Sequence, residues 1–256
     1  MPPPDPDYSL PLWVPFLVAA PFIGSFLGVL AARLPEGRPV LLARSECDAC
    51  HATLGVPDLI PLASWLALRG KCRHCCAPIG FYPLLMELAA MAVVVWAAFA
   101  TQGWVFAATA VLGWILLALA VADWRFFILP DALNAVLALT GLGAAYVFAR
   151  EAMLDHVIAL VAGFAVFAAL AFLYRRFRGF DGLGLGDAKL LGALGAWVSW
   201  EGLPSVVLYA AVLGLAVALL GALRGHALSA TTRIPFGTFL SLGGWLVWLY
   251  GPLLIG

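Results

Sequence analysis

The sequence predicts an all-α, polytopic membrane protein, and three observations lead to that fold class: the composition, the long apolar runs and the shortage of charge. The chain has 256 residues, of which 64% are hydrophobic and only 11% are charged. Charges make up about a quarter of the residues in a typical water-soluble domain. The formal net charge is zero. With no excess of Lys and Arg to neutralise phosphates, we expect no nucleic-acid partner.

About eight stretches are predicted to cross the bilayer, which takes about 20 apolar residues for a helix. The residues before the first stretch hold two acids and no base. They therefore lack the positive region of a signal peptide, and the first stretch is predicted to be a retained span. The predicted spans are 11–31, 83–101, 104–122, 131–149, 156–174, 187–200, 205–223 and 235–255.

The basic residues predict the orientation of these spans, because Lys and Arg accumulate in cytoplasmic loops. If the N-terminus is periplasmic, every Lys and Arg except Arg150 falls in a cytoplasmic loop or at the cytoplasmic start of the sixth span. We therefore expect an inner-membrane protein with that orientation. Its predicted cytoplasmic loops are 32–82, 123–130, 175–186 and 224–234.

The five cysteines all lie in the first of these loops and predict a local metal site. Two CxxC pairs, at 47–50 and 72–75, suit a tetrahedral Zn²⁺ bound by four thiolates. A reducing cytoplasm disfavours disulfides. Cys76 in place of Cys75, His51 or His74 in place of a thiolate, and free thiols are the alternatives. The predicted ligands of a structural zinc are Cys47, Cys50, Cys72 and Cys75.

Two carboxylates stand at the ends of apolar spans and predict the chemistry. Asp123 ends the third span and Asp187 opens the sixth, both on the predicted cytoplasmic side. An ionisable group at such a position is a functional candidate by default. Two carboxyl groups that share one proton supply an acid and a base, which can activate water against a peptide carbonyl. The alternative is that each caps a helix, which suits Asp187 better because the dipole at a helix C-terminus disfavours an anion.

Two further carboxylates have weaker claims. Asp131 follows Pro130 and is predicted to be the N-cap of the fourth span. Glu87 lies inside the second span, needs a partner there, and is a candidate for a substrate or cofactor site. A transporter that uses buried carboxylates and a structural scaffold are the rival function classes. Transporters commonly contain internal repeats, and none is evident here.

Taken together, these motifs resemble the bacterial prepilin peptidases, which act as leader peptidases and N-methyltransferases in type IV pilus and type II secretion systems. The resemblance covers nearly the whole chain and includes the double CxxC loop. Its segments are GSFLGVLAARLP (24–35), IPLASWLALRGKCRHCCAPIGFYPLLMELA (60–89), the aspartate-x6-Pro-Asp string (123–131), GLGLGDAKLLGALGAW (182–197) and IPFGTFL (234–240).

The resemblance implies that Asp123 and Asp187 are the catalytic pair of a GxGD-type aspartic protease. It implies removal of the basic leader of type IV prepilins or pseudopilins at the cytoplasmic face. It also implies methylation of the new N-terminus with S-adenosylmethionine. The chain has Gly28 where the family usually has Asn, in the part linked with methylation, and Thr238 where it usually has Pro. Both departures are predicted to lie outside the protease motifs, and a peptidase without methylation is the nearest alternative.

The chain is predicted to have three parts, two in the membrane and one in the cytoplasm. These are a first transmembrane helix (1–31), a cytoplasmic zinc-binding loop domain (32–82) and a transmembrane aspartic protease domain (83–256).

Overall fold

A computed structural model describes residues 11–40, 44–178, 184–224 and 234–253, and their regular structure is helical apart from two isolated β-bridges. The predicted all-α class is confirmed. Short 3₁₀ turns occupy Val56–Leu59 and Arg150–Ala152. The α-helices are α1 (Trp13–Arg33), α2 (Ala63–Ala67), α3 (Tyr82–Ala100), α4 (Gly103–Phe126), α5 (Asp131–Phe148), α6 (Met153–Arg178), α7 (Leu185–Leu223) and α8 (Phe236–Tyr250).

The helices match the predicted spans, and the chain is a multi-pass membrane protein. In the described ranges, six helices are long and apolar enough to cross a membrane, and the apolar α8 is shorter. The 39-residue α7 is interrupted at Ser199, where φ is 61° and the backbone is not helical. It therefore consists of two segments, 185–198 and 200–223, in the places of the sixth and seventh predicted spans.

The bundle is built around α4 and the first half of α7, whose residues are the most continuously buried. Glycines allow close helix contacts, as is common where helices pack in lipid. A Cβ atom on Gly24 of α1 would lie 2.7 Å from the Cα of Glu87 on α3. A Cβ on Gly195 of α7 would lie 2.5 Å from the carbonyl oxygen of Ala159 on α6. Side chains larger than glycine would force both helix pairs apart.

The segment between α1 and α3 forms a small module at one end of the bundle. Inside it, the Arg73 guanidinium donates to Asp58 at 2.6 Å. This hydrogen bond, with another from the Gly55 N–H, lowers the pKa of Asp58. The module is tied to the membrane helices by the Leu62 N–H, which donates to the Glu87 carboxylate at 2.7 Å.

Candidate active site

Asp123 lies in the last turn of α4, and the first turn of α8 holds its carboxyl group. The side chain is buried, with 5% of the residue exposed. The Thr238 N–H donates to Oδ2 at 2.8 Å, and the Thr238 hydroxyl lies 3.3 Å from the same oxygen. The Gly237 N–H also interacts with this carboxyl group. The positive end of the α8 dipole therefore faces Asp123, an arrangement that favours an anion.

Thr238 corrects one expectation from the sequence. Its departure from the family's usual Pro was predicted to lie outside the protease motifs, but it contacts Asp123 directly. Its hydroxyl also donates to the carbonyl oxygen of Ala120 at 2.9 Å. Proline has neither an N–H nor a hydroxyl. The hydrogen bond from the Thr238 N–H to Asp123 and the one from its hydroxyl to Ala120 are therefore features of this chain. A proline at this position could make neither.

Asp187 is the third residue of α7 and is half-buried. The N-cap of this helix is Gly184, so Asp187 is not at the N-cap position itself but can still cap the helix start from its first turn. Its own N–H donates to the Gly184 carbonyl at 3.1 Å, and its carboxyl group interacts with the Gly184 backbone in return. Asp187 lies at the same end of the bundle as Asp123, since Gly186 beside Asp187 and Gly237 beside Asp123 both approach Leu129.

Leu129, in the link between α4 and α5, contacts the first turns of both α7 and α8. Helix α4 ends at Phe127, whose backbone is in the left-handed region with φ of 54°, and Leu129 two residues later is buried. A Cβ on Gly186 would lie 3.2 Å from Cβ of Leu129. A Cβ on Gly237 would lie 2.7 Å from Cδ1 of Leu129 and 3.1 Å from Cγ of Asp123. The starts of α7 and α8 therefore both pack on this leucine.

Asp131 is not the N-cap that the sequence predicts. The N-cap of α5 is Pro130, and Asp131 is the first residue of the helix. Its carboxylate instead accepts from Lys189 Nζ at 2.6 Å. Both side chains are largely exposed, so the ion pair contributes little to stability. It does fix the start of α5 beside the first turn of α7, two residues from Asp187.

Glu87 has its predicted partner, and the partner is structural. The buried carboxylate accepts the Leu62 N–H and interacts with the Ser25 hydroxyl. It therefore joins α1, α3 and the small module between them. A direct role for Glu87 in binding a cofactor stays a prediction.

Gly28, the second departure from the family's usual sequence, lies against α3. The Tyr82 hydroxyl donates to the Gly28 carbonyl at 2.9 Å. A Cβ at Gly28 would approach Cγ of Met86 to 3.3 Å. The Arg125 guanidinium stacks 4.2 Å above the Tyr82 ring. Because Arg125 is two residues from Asp123, this contact connects the N-terminal part with the aspartate end of α4.

The four predicted metal ligands meet at one point. The Sγ atoms of all four cysteines lie within 4.8 Å of one another. The Sγ atoms of Cys47 and Cys75 are 3.8 Å apart. Thiolates bound at about 2.3 Å to a tetrahedral zinc lie roughly 3.8 Å from one another. The donor set therefore fits a metal ion. The N–H groups of Cys50 and Ala49 lower the pKa of Cys47 to about 6, which favours the thiolate that a metal needs.

The two halves of the four-cysteine cluster have the same local backbone arrangement. Isolated β-bridges join Glu46 to Thr53 and Lys71 to Pro78. His51 and Cys76 occupy equivalent turn positions after each CxxC, with φ of 56° and 58°. Cys76, His51 and His74 are all outside the metal-binding group found in the described residues.

The comparisons with known proteins agree with this arrangement. Residues 18–101 match the bacterial peptidase A24 N-terminal domain, and residues 110–219 match the type IV leader peptidase family. The chain is 36% identical to the prepilin leader peptidase/N-methyltransferase of Burkholderia pseudomallei (strain 1026b), across 91% of this chain and 85% of that protein. The chain belongs to the type IV leader peptidase family.

Other family members are similarly related. The prepilin leader peptidase/N-methyltransferase of Aeromonas hydrophila is 36% identical across 90% of this chain and 87% of its own length. The enzyme of the same name from Stutzerimonas stutzeri is 34% identical across 92% and 89%. No solved structure matches the chain significantly. The resemblance stated from the motifs is confirmed.

Sequence reasoning missed the residues that surround the aspartates. Leu129 and Gly237 carry no chemistry of their own, and Thr238 entered only as a departure from a motif. Gly237 and Thr238 could have been found through their place in IPFGTFL (234–240), because this segment is one of those that resemble the family. Asn134, a polar residue in the apolar fourth span, was a visible signal that was not used.

Proposed function

We propose that this chain is a prepilin leader peptidase and N-methyltransferase that processes type IV prepilins, with Asp123 and Asp187 as its catalytic pair. One observation carries the proposal. In a family member with an otherwise apolar bundle, two carboxyl groups lie at one end of that bundle, beside glycines that both approach Leu129. Proton-sharing acid and base catalysis needs two such groups at one site.

We infer different roles for the two aspartates. Asp123 faces the positive end of α8 and accepts the Thr238 N–H, so it carries the negative charge and acts as the base. Asp187 holds the shared proton and acts as the acid. Asp123 takes a proton from water as the oxygen attacks the scissile carbonyl carbon, and Asp187 gives its proton to the carbonyl oxygen. Asp123 then gives the proton that it took from water to the amide nitrogen, the C–N bond breaks, and Asp187 recovers its proton from the hydroxyl group as the carbonyl re-forms. The products are the leader with a new carboxyl terminus and the mature segment with a new amino terminus.

The proposed orientation puts the aspartate end of the bundle and the metal-binding module in the cytoplasm. The distribution of Lys and Arg supports it. A basic leader would then lie in the cytoplasm while the apolar helix of the prepilin or pseudopilin stays in the bilayer. The domain division into 1–31, 32–82 and 83–256 is part of the same proposal.

The metal is proposed to be a structural Zn²⁺. A site with four protein thiolates has no open position for a substrate, so its role is to fold the module. Metal analysis of the purified protein is expected to find one zinc per chain. Cys50→Ser should lose the zinc and lower the Tm by several degrees, since small modules without a core depend on their metal. Cys76→Ser, at a turn position outside the cluster, is the matched control and should keep both. If wild-type protein stripped of zinc has the same Tm as the zinc-bound protein, the structural role of the metal is refuted.

The methyl donor is proposed to be S-adenosylmethionine, with Glu87 retained as a candidate contact. Intact mass of a processed pilin tests this activity, because methylation adds one CH₂ group. A gain that depends on S-adenosylmethionine is expected. Leader loss with no such gain would support the alternative of a peptidase without methylation and would direct attention to Gly28.

The decisive test of the peptidase replaces each aspartate with asparagine. Asp123→Asn and Asp187→Asn are each expected to lower kcat/KM for leader removal by at least about a thousandfold, because each removes one half of an acid and base pair. Glu36→Gln, which changes an exposed carboxylate just after α1, is the control and should stay within a few-fold of wild type. Near-normal cleavage by either catalytic variant would favour a transport or structural role for these carboxylates.

A further inference from the structure

A cleft between α5, α6 and α7 reaches the first turn of α7, where Lys189 lines it two residues from Asp187. Its volume is about 330 Å³. The Asp131–Lys189 ion pair stands at its mouth, and its walls include Ala138, Phe164 and Gly192. The interior of the cleft is therefore largely apolar. Its opening carries two opposite charges that neutralise each other.

Asn134 is the polar residue within this cleft. It is 4% exposed, and neither its amide nitrogen nor its amide oxygen has a hydrogen-bond partner among the residues that the structure describes. An amide buried in this state is unfavourable, because it has lost its hydrogen bonds to water and gained none in return. Leucine has nearly the same shape and would carry no such cost. The amide therefore indicates a ligand that supplies both a donor and an acceptor.

The cleft begins at the depth of the catalytic pair and continues into the membrane. Asn134 is three residues into α5 from Asp131, or about 4.5 Å deeper along the helix. Gly192 is five residues beyond Asp187 on α7, or about 7.5 Å deeper. A substrate whose scissile bond lies at Asp187 would thus present the residues on its membrane side to this cleft.

The substrate's own chemistry matches Asn134. To be cut at this depth, an apolar helix has to unwind around the scissile bond. Each N–H and C=O that unwinding releases needs a protein partner, because lipid supplies none. A primary amide offers donors and an acceptor together, as a peptide group does. An anionic lipid headgroup fits less well, since Lys189 is already paired and the Asp131 carboxylate would repel it.

We propose that this cleft binds the unwound first residues of the mature segment, directly after the scissile bond, and that Asn134 hydrogen-bonds to a backbone peptide group of the substrate there. This inference rests on the proposed peptidase function. It assigns Asn134 to substrate binding and the apolar walls to the side chains of that segment.

Asn134→Leu separates substrate binding from a structural role. Without substrate, its Tm is expected to equal or exceed that of the wild type, because an unpaired buried amide is removed. With a prepilin in detergent, KM should rise about tenfold and kcat should change little, as expected when uniform binding is lost. Asn134→Gln, which keeps the amide, should recover part of the affinity. Unchanged KM, or a loss of activity accompanied by a lower Tm, would overturn the proposal.

Photo-crosslinking tests the position without relying on turnover. A benzoylphenylalanine replaces Ala138, which lines the cleft, in an Asp187→Asn background that leaves the prepilin uncut. The matched control replaces Val136, a more exposed residue of the same helix. Adducts from position 138 alone, on the first mature residues, are expected. Adducts on the leader, or equal yields from both positions, would overturn the proposal. Wild-type enzyme that leaves prepilin uncut would instead refute the peptidase function itself.

Discussion

The two aspartates differ in what holds them. Asp123 accepts its hydrogen bonds from α8, and the Thr238 N–H that donates to it is 115 residues away in the chain. Asp187 is held by its own turn, through Gly184 three residues earlier. One carboxyl group depends on the assembly of separate helices, whereas the other depends on a short motif. Substitutions in the two surroundings should therefore have different effects.

Among substitutions in the surroundings of the aspartates, the largest effect is expected from Gly237→Ala. The added methyl would press on Leu129 and on the Asp123 carboxyl group, at 2.7 Å and 3.1 Å. A displacement of about 1 Å at a catalytic group can cost roughly a hundredfold in rate. We expect a loss of that order in kcat/KM for leader cleavage.

Gly186→Ala is the equivalent change beside Asp187. Its closest contact is 3.2 Å, so we expect a loss of about tenfold or less. Equal losses would contradict the distinction between the two surroundings.

A smaller effect is expected at Thr238. Thr238→Val removes the hydroxyl and keeps the N–H, so kcat should fall about fivefold, near 1 kcal/mol. Thr238→Ser keeps both donors and should stay close to wild type. The loss should be modest because proline, usual in the family, offers neither donor. A Thr238→Val enzyme with unchanged kcat would show that the backbone N–H alone orients Asp123.

The smallest effect is expected at Gly184, in the surroundings of Asp187. A Cβ there would meet Asp187 Oδ2 at 3.3 Å and would find the backbone already at φ of −76°. Alanine is a weaker N-cap than glycine, by about 1 kcal/mol or less. Cleavage by Gly184→Ala should therefore remain within a few-fold of wild type. A loss as large as that of Gly237→Ala would indicate that this turn has to move during catalysis.

The same contrast explains which features the sequence predicts. The spans follow from runs of apolar residues, and their bounds agree with the helices to within a few residues. The metal ligands follow from two local CxxC pairs. The Asp187 turn is also local. The surroundings of Asp123 require α4, the Leu129 link and α8 to meet, and hydropathy contains no information about which helices pack together. Asp131 shows that a local prediction can also fail. Its carboxylate does not cap its own helix but pairs with Lys189, 58 residues away in the chain.

The break in α7 has a consequence for the depth of Asp187. The segment 185–198, which carries Asp187 in its first turn, is about 21 Å long. The hydrocarbon core of a bilayer is about 30 Å thick. Most of this segment is buried by neighbouring helices, so protein rather than lipid surrounds it. The position of Asp187 is then set by helix packing and not by the match between this short segment and the thickness of the bilayer.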